Sequence, residues 1–243
     1  MQIDALAVRL RPRTPTEAGD LGVRLCQSAA RSIYTCYAMV ALPVIALSFA
    51  SYEIAVWMPM LAIWFSKAWL DRTILFVLSR AAFGQRTTIS DVWRAQRRVW
   101  WRQFVFTWTV RRLSPWRSLT EAVYQLEESS ITKGGARIRQ IRNRHAAAAS
   151  MMTVVFGTAE MVLTAAIVSL VFWLAPSGLA PELVKLFSDQ TGFLSLALSA
   201  AYAIAVLFLE PFFVAAGFGM YLNRRAELEA WDIEQEFRRA FAA

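Results

Sequence analysis

The sequence predicts an all-α, polytopic membrane protein with four transmembrane helices and additional cytoplasmic or interfacial amphipathic helices. Three observations lead to this class. Of the 243 residues, 57% are apolar and 18% are charged, whereas soluble domains have about 45–50% and about 25%. The apolar residues are gathered in long blocks, as bilayer-spanning helices require. The positive charge is concentrated beside these blocks, as in the cytoplasmic loops of membrane proteins.

The position of the positive charge argues against a nucleic-acid-binding protein. The whole chain carries a net charge of +8, but residues 71–145, here called the basic segment, carry 15 basic and 5 acidic residues. The rest of the chain is therefore slightly acidic. A basic segment next to apolar blocks indicates a lipid bilayer with anionic headgroups as the partner. We expect no nucleic-acid partner.

The residues that most often carry out catalysis are scarce in this sequence. The single histidine, His145, lies in an arginine-rich run without a nucleophile motif, which argues against a Ser–His–Asp hydrolase. We expect it to be solvated or at headgroup level. Cys26 and Cys36 lack further ligands at zinc-binding spacing, so we expect free thiols. The sequence thus predicts no enzyme, no metal and no cofactor.

The N-terminal part predicts a cytoplasmic segment followed by a helical hairpin in the membrane. Residues 1–32 contain an amphipathic helix that begins at Thr14-Pro15 and is expected to lie on or enter the membrane. Residues 33–70 contain the first span, 33–52, and the second, 54–70. Lys67 lies near the end of the second span, where its long side chain can extend to the membrane surface.

The basic segment has no apolar run long enough to span, and it predicts cytoplasmic or interfacial helices. A helix from about Asp91 places arginines on one side and tryptophans on the other. This pattern suits both the headgroup layer and packing against the helix bundle. Seven arginines are candidate contacts for anionic lipid or a protein partner: Arg94, Arg98, Arg102, Arg137, Arg139, Arg142 and Arg144.

The last third of the chain predicts two further spans. Residues 146–222 contain the third and fourth, which are joined by a short periplasmic loop at 175–191. Residues 223–243 predict a cytoplasmic helix whose apolar face docks on the basic segment. The excess of Lys and Arg in residues 1–32 and in the basic segment places both termini in the cytoplasm.

Two acidic residues, Glu160 and Glu210, lie deep in the third and fourth spans. A carboxylate facing lipid at mid-span costs up to about 3 kcal/mol on insertion scales, so both should face protein or a cavity. Small and hydroxyl residues accompany each of them along one helix face. We expect these faces to meet and one acid to keep its proton at neutral pH. The faces comprise Thr153, Gly157, Glu160 and Thr164, and Ser199, Ala203, Glu210, Gly217 and Tyr221.

Three stretches carry a family resemblance. They are Leu78-Ser79-Arg80 with Phe83-Gly84, then Arg111-Arg112-Leu113-Ser114-Pro115, and, as the longest, Glu210-Pro211-Phe212 with Tyr221-Leu222-Asn223-Arg224-Arg225 and Glu227-Leu228-Glu229-Ala230-Trp231-Asp232-Ile233-Glu234. Together they resemble a family of uncharacterised multi-pass inner-membrane proteins of proteobacteria with this C-terminal signature. The resemblance implies a bacterial inner membrane and an envelope complex. It implies no catalytic residues.

Two functions remain open from the sequence. One is a non-catalytic subunit or scaffold of a membrane- or envelope-associated complex, with other membrane proteins or further copies of the chain as partners. The other is a small proton- or cation-coupled transporter or channel subunit that uses Glu160 and Glu210. In the first, the two acids form a hydrogen-bonded pair that locks two helices. In the second, they relay protons or cations.

Overall fold

The computed structural model describes residues 13–101, 104–109, 111–127, 134–174, 176, 185 and 191–229. In these residues helix dominates and no β-strand occurs, so the predicted all-α class is confirmed. The α-helices of the described part are α1 (Pro15–Ser28), α2 (Ala30–Ala50), α3 (Met58–Ala81), α4 (Ile89–Arg94), α5 (Phe104–Trp108), α6 (Arg117–Leu126), α7 (Gly134–Arg142), α8 (Ala146–Trp173) and α9 (Thr191–Glu229).

Three segments in the described part of the chain are long and apolar enough to cross a membrane, as expected of a membrane protein. They are Ala30–Glu53, Ala146–Val171 and Gly192–Glu229, and they correspond to the first, third and fourth predicted spans. The predicted second span is not among them. Its helix, α3, begins at Met58 instead of residue 54 and continues to Ala81 through a strongly charged second half.

The long helix α9 is the centre of the fold. Its 39 residues extend over about 58 Å, and α1, α3, α6 and α8 all pack against it. Helix α1 buries its apolar face on α9. A Cβ atom on Gly22 would lie 1.9 Å from the carbonyl oxygen of Ala215, and one on Gly219 would lie 2.2 Å from that of Ala18. These two glycines therefore allow the backbones of α1 and α9 to touch.

Residues 97–101 and 104–108 of the basic segment lie along α3 and run in the opposite direction. The indole Nε1 of Trp100 donates a 3.0 Å hydrogen bond to Thr73 Oγ1. Further on, the Trp108 ring lies 6.2 Å from the ring of Phe65. The chain thus advances along α3 from its charged half towards its apolar half. Aromatic residues of the basic segment, such as Trp100 and Trp108, therefore pack against α3.

A second stretch of the basic segment, residues 111–126, turns and returns along α9. The turn between the two stretches places the guanidinium of Arg112 3.8 Å from the centre of the Trp64 ring. Helix α6 then runs back and ends near Glu127, whose Oε1 accepts a 2.9 Å hydrogen bond from the hydroxyl of Tyr221. The two stretches form a helical hairpin, here called the inserted hairpin (residues 97–126), although residues 102, 103 and 110 are outside the described residues.

Candidate functional site

Lys67 lies at the centre of a buried group of charged side chains. Its ammonium group contacts Glu160 Oε1 and lies 2.6 Å from Glu210 Oε2. Lys67 is 4% exposed and Glu210 is fully buried. Because α3, α8 and α9 each supply one of these side chains, the three helices meet at this point. The two acids singled out in the sequence are thus brought together, with a cation between them.

Arg117, the first residue of α6, adds a second cation to Glu210. Its Nη2 lies 2.6 Å from Glu210 Oε1, and its Nε lies 3.1 Å from Asp71 Oδ2. Burial acts to lower the pKa of Arg117, but the nearby carboxylates of Asp71 and Glu210 outweigh it and raise that pKa. Arg117 therefore stays charged and connects α6 to both α3 and α9.

A second group of charges adjoins the first along α6. Glu121, one turn after Arg117, lies 3.6 Å from Arg72 Nε and 3.4 Å from Arg111 Nη1. The Arg111 guanidinium lies 3.4 Å from the centre of the Tyr124 ring, which favours its charge. Burial lowers the pKa of Arg111 from its usual value. Together the two groups form what we call the ion cluster: Lys67, Arg72, Arg111 and Arg117 with Asp71, Glu121, Glu160 and Glu210.

The pairing of charges decides what this cluster can do. Withdrawing an ionised side chain from water costs several kcal/mol, and only well-placed opposite charges offset it. In the ion cluster each of the four carboxylates lies within 4 Å of a cationic side chain. Such a set of matched charges connects the helices that carry it, and the loss of one partner would leave a buried charge uncompensated. A carboxyl group that relays protons must instead gain and lose a proton easily. Here the fixed neighbouring cations oppose protonation, whereas burial favours it.

One sequence prediction about these residues is wrong, and a second holds only in part. Lys67 does not extend to a membrane surface, because its ammonium group is held inside the protein. The polar faces of the third and fourth spans also do not simply face one another. Gly217 of α9 packs against Ser118 of α6, and Thr153 of α8 donates a 2.7 Å hydrogen bond to the carbonyl of Pro115. The inserted hairpin occupies part of the space that the sequence assigned to a direct contact between the two spans.

The seven arginines predicted to contact lipid or a partner do not form one surface. Arg137 lies 2.8 Å from Glu127 Oε2 and also contacts Glu229, and its hydrogen bond to Glu127 raises its pKa. The guanidinium of Arg142 lies 4.2 Å from the centre of the Trp116 ring. These two are therefore engaged within the protein. Arg94, Arg139 and Arg144 are exposed, whereas Arg102 and the side chain of Arg98 lie outside the described residues.

The remaining sequence predictions have mixed outcomes. His145 is buried, with its Nε2 4.0 Å from Glu227 Oε1, so it is not solvated, and its predicted alternative, a position at headgroup level, stays a prediction. Cys26 and Cys36 are free thiols, as predicted, and both are buried. The predicted C-terminal helix is described as far as Glu229, which contacts Arg137. The apolar positions of the tail, beginning with Ala230, lie outside the described residues.

The comparisons with known proteins place no further constraint on this site. No family model, curated protein or solved structure matches the chain. The resemblance to a proteobacterial membrane-protein family therefore stays a prediction. The fold and its candidate spans define the class: an all-α membrane protein with a buried cluster of paired charges.

Proposed function

We propose that the chain is a non-catalytic subunit or scaffold of a bacterial inner-membrane or envelope complex, with four spans and both termini in the cytoplasm. The observation that carries this proposal is the ion cluster. Its matched charges bind α3, α6, α8 and α9 into one frame. A rigid frame is suited to presenting fixed surfaces to partners, whereas the alternative, a coupled transporter, requires carboxyl groups that change their protonation state.

The position of Lys67 supports α3 as a spanning helix in addition to the three candidate spans. Glu160 lies near the middle of α8 and Glu210 near the middle of α9, so Lys67 is level with the middle of both. From Lys67 back to Met58 the helix covers about 14 Å, roughly half of a hydrocarbon core of about 30 Å. The charges of α3 do not oppose spanning, because Lys67, Asp71 and Arg72 are buried and face paired carboxylates or guanidinium groups.

The hairpin reaches the level of Lys67, which supports its entry into the membrane from the cytoplasmic side. Its turn reaches Trp64, and Arg117 reaches Glu210. Non-helical backbone is tolerated at such depth where protein covers it, and Thr153 binds the turn at Pro115. The outer side of the hairpin is apolar: Trp101 is 63% and Leu113 73% exposed. Lipid contact suits these side chains.

Cysteine labelling tests this membrane topology. In a variant without Cys26 and Cys36, we expect Glu53→Cys, in the turn before α3, to react from outside with a membrane-impermeant maleimide in right-side-out vesicles. Arg86→Cys, after α3, should react only once the vesicles are opened, because α3 separates the two sites. Both native residues are exposed. Labelling of both positions from one side would show that α3 does not span.

Affinity purification in mild detergent tests the proposed function. A subunit or scaffold should bring down membrane-protein partners, or further copies of the chain, in fixed stoichiometry after crosslinking. Transport measurements on the protein alone in liposomes test the alternative, a coupled transporter. A proton or cation flux that Glu160→Gln abolishes, without loss of folding, would overturn the scaffold proposal in favour of the coupled transporter.

A further inference from the structure

A cleft between α3 and α8 lies beside the ion cluster. Its apolar part encloses about 700 Å³, with Trp57 of α3 and Met161 of α8 among its walls. Its polar part encloses about 340 Å³. Trp64, Gly157 and Glu160 line both parts, so the two parts adjoin. A Cβ atom on Gly157 would meet no heavy atom within 4 Å, so no described side chain fills the cleft at this point.

In the topology proposed above, the cleft lies near the middle of the bilayer. Trp64 is one turn from Lys67 on α3, and Lys67 is level with the middle of α8 and of α9. Three helical residues cover about 4.5 Å, whereas the edge of the hydrocarbon core is about 15 Å from its centre. Lipid head groups stay outside that core, so no lipid phosphate lies at the level of Trp64.

The cleft contains a cation that the ion cluster does not neutralise. Arg112 lines the polar part and stacks on Trp64. It makes no ion pair with any described residue, and its Nε is buried without a hydrogen-bond acceptor there. The cations and carboxylates of the ion cluster are equal in number, so Arg112 leaves this region with one positive charge in excess. Such a charge is costly inside a membrane unless an anion faces it.

Tyr202 of α9 provides a second polar group without a partner at this cleft. It lines the apolar part and is 5% exposed. Its hydroxyl makes no hydrogen bond within the part of the chain that the structure describes, although buried hydroxyl groups are usually hydrogen-bonded. An ionised carboxylate accepts hydrogen bonds through both of its oxygens. Arg112 and Tyr202 therefore favour a carboxylate as the missing group.

The helix surface beside the cleft is largely uncovered. Only 11% of the apolar window of α8 is buried, against 33% for each of the other two candidate spans. Val154 and Met161, which line the cleft, are both exposed. A protein segment at this depth must satisfy its backbone hydrogen bonds internally, as an α-helix does. A membrane helix can thus supply both an apolar surface and a carboxylate at a fixed depth.

We propose that this cleft binds one transmembrane helix of a different protein, whose Asp or Glu at mid-span pairs with Arg112. The inference rests on the subunit function proposed above and names the chemistry of its partner. An unpaired acid at mid-span is itself unfavourable in lipid, so each chain neutralises the other. A second copy of this chain does not supply the acid, because the carboxylates at this level, Glu160 and Glu210, already bind Lys67.

Photo-crosslinking of the full chain in its native membranes tests the proposal. The photoreactive amino acid benzoylphenylalanine replaces Met161, which lines the cleft, or Val162, which is exposed outside it. From position 161 we expect an adduct with one other membrane protein. Mass spectrometry should place this adduct in a transmembrane segment with Asp or Glu near its middle. Position 162 should not give this adduct.

Removing the charge of Arg112 should remove most of the adduct. Arg112→Gln should lower its yield about tenfold, since a polar contact between membrane helices contributes about that factor. Arg94→Gln is the matched control and should leave the yield unchanged, because Arg94 is an exposed arginine of α4 that does not line the cleft. Unchanged thermal unfolding of Arg112→Gln separates lost binding from lost folding.

Two further changes keep the test independent of that variant. Gly157→Leu should fill the cleft and lower the yield, whereas Val155→Leu, on an exposed side of the same helix, should not. Replacing the acid of the crosslinked segment with lysine should also remove the adduct, and Arg112→Glu should then restore it, because the two charges are exchanged.

Several outcomes would overturn the proposal. They are no adduct from position 161, an adduct with lipid or with a second copy of the chain, an adduct with a helix that has no acid at mid-span, and equal yields for Arg112→Gln and Arg94→Gln. The affinity purification described above separates this failure from failure of the proposed function. If partners are still recovered in fixed stoichiometry, the chain remains a subunit and only the assignment of the cleft is wrong.

Discussion

Replacing Lys67 with methionine should destabilise the folded protein by about 3–5 kcal/mol, the usual result of removing one partner from a buried ion pair. Methionine has a similar length and leaves no cavity of note, so the loss reports the charge. Without the ammonium group, Glu160 loses its closest cation and Glu210 retains only the contact with Arg117. Equilibrium unfolding in mixed micelles, followed by circular dichroism, measures the change in the free energy of unfolding.

The double variant Lys67→Met with Glu160→Gln separates the charge effect from a packing effect. Removing the carboxylate together with its cation should restore part of the lost stability, because the two changes are coupled. Arg86→Met is the control for loss of a cation, since Arg86 is exposed after α3 and should change stability by no more than about 0.5 kcal/mol. If Lys67→Met is as stable as Arg86→Met, the ion cluster does not stabilise the fold.

Gly22→Ala is expected to have the second-largest effect, a loss of about 2–3 kcal/mol or more. The new methyl group would lie 1.9 Å from the carbonyl oxygen of Ala215, and the obstacle is helix backbone that cannot rotate away. Helix α1 must then move off α9. Thermal unfolding in detergent measures the loss, and faster proteolysis within residues 15–28 would locate it.

Gly157→Ala is the matched control for this second change and should shift stability in the opposite direction. Both glycines lie inside helices, where alanine is preferred by about 0.5–1 kcal/mol, but a Cβ on Gly157 would meet nothing within 4 Å. A shift of the same sign for Gly22→Ala and Gly157→Ala would contradict the close approach of α1 and α9.

The charged half of α3 shows why a sequence average misjudges a buried helix. A hydropathy average treats Lys67, Asp71 and Arg72 as charged groups exposed to their surroundings. It therefore scores α3 as too polar to cross a membrane, and α3 is not among the candidate spans. In the fold these three side chains are buried against opposite charges. A signal was present in the sequence, since Lys67 and Asp71 are one turn apart on one helix face, but their partners were not evident.

The partners of Glu160 and Glu210 depend on segments far apart in the chain. Helix periodicity indicates which face of a helix is buried, but not which other helix covers that face. Lys67 lies 93 residues from Glu160, and Arg117 lies 93 residues from Glu210. From its composition, the basic segment was expected to lie at the membrane surface or to pack against the helix bundle. In the folded chain, the middle part of the basic segment lies along α3 and α9.

The amino-acid sequence alone determined the all-α class, the positions of three apolar helices and the inward direction of two acids, because these follow from local composition and from the energy of charges in lipid. The tertiary structure decided that a lysine and an arginine neutralise those acids. It also decided that Arg112, which makes no ion pair among the described residues, stacks on Trp64 beside an apolar cleft. Pairing of charges depends on distances between separate helices, and such distances arise only when the helices pack.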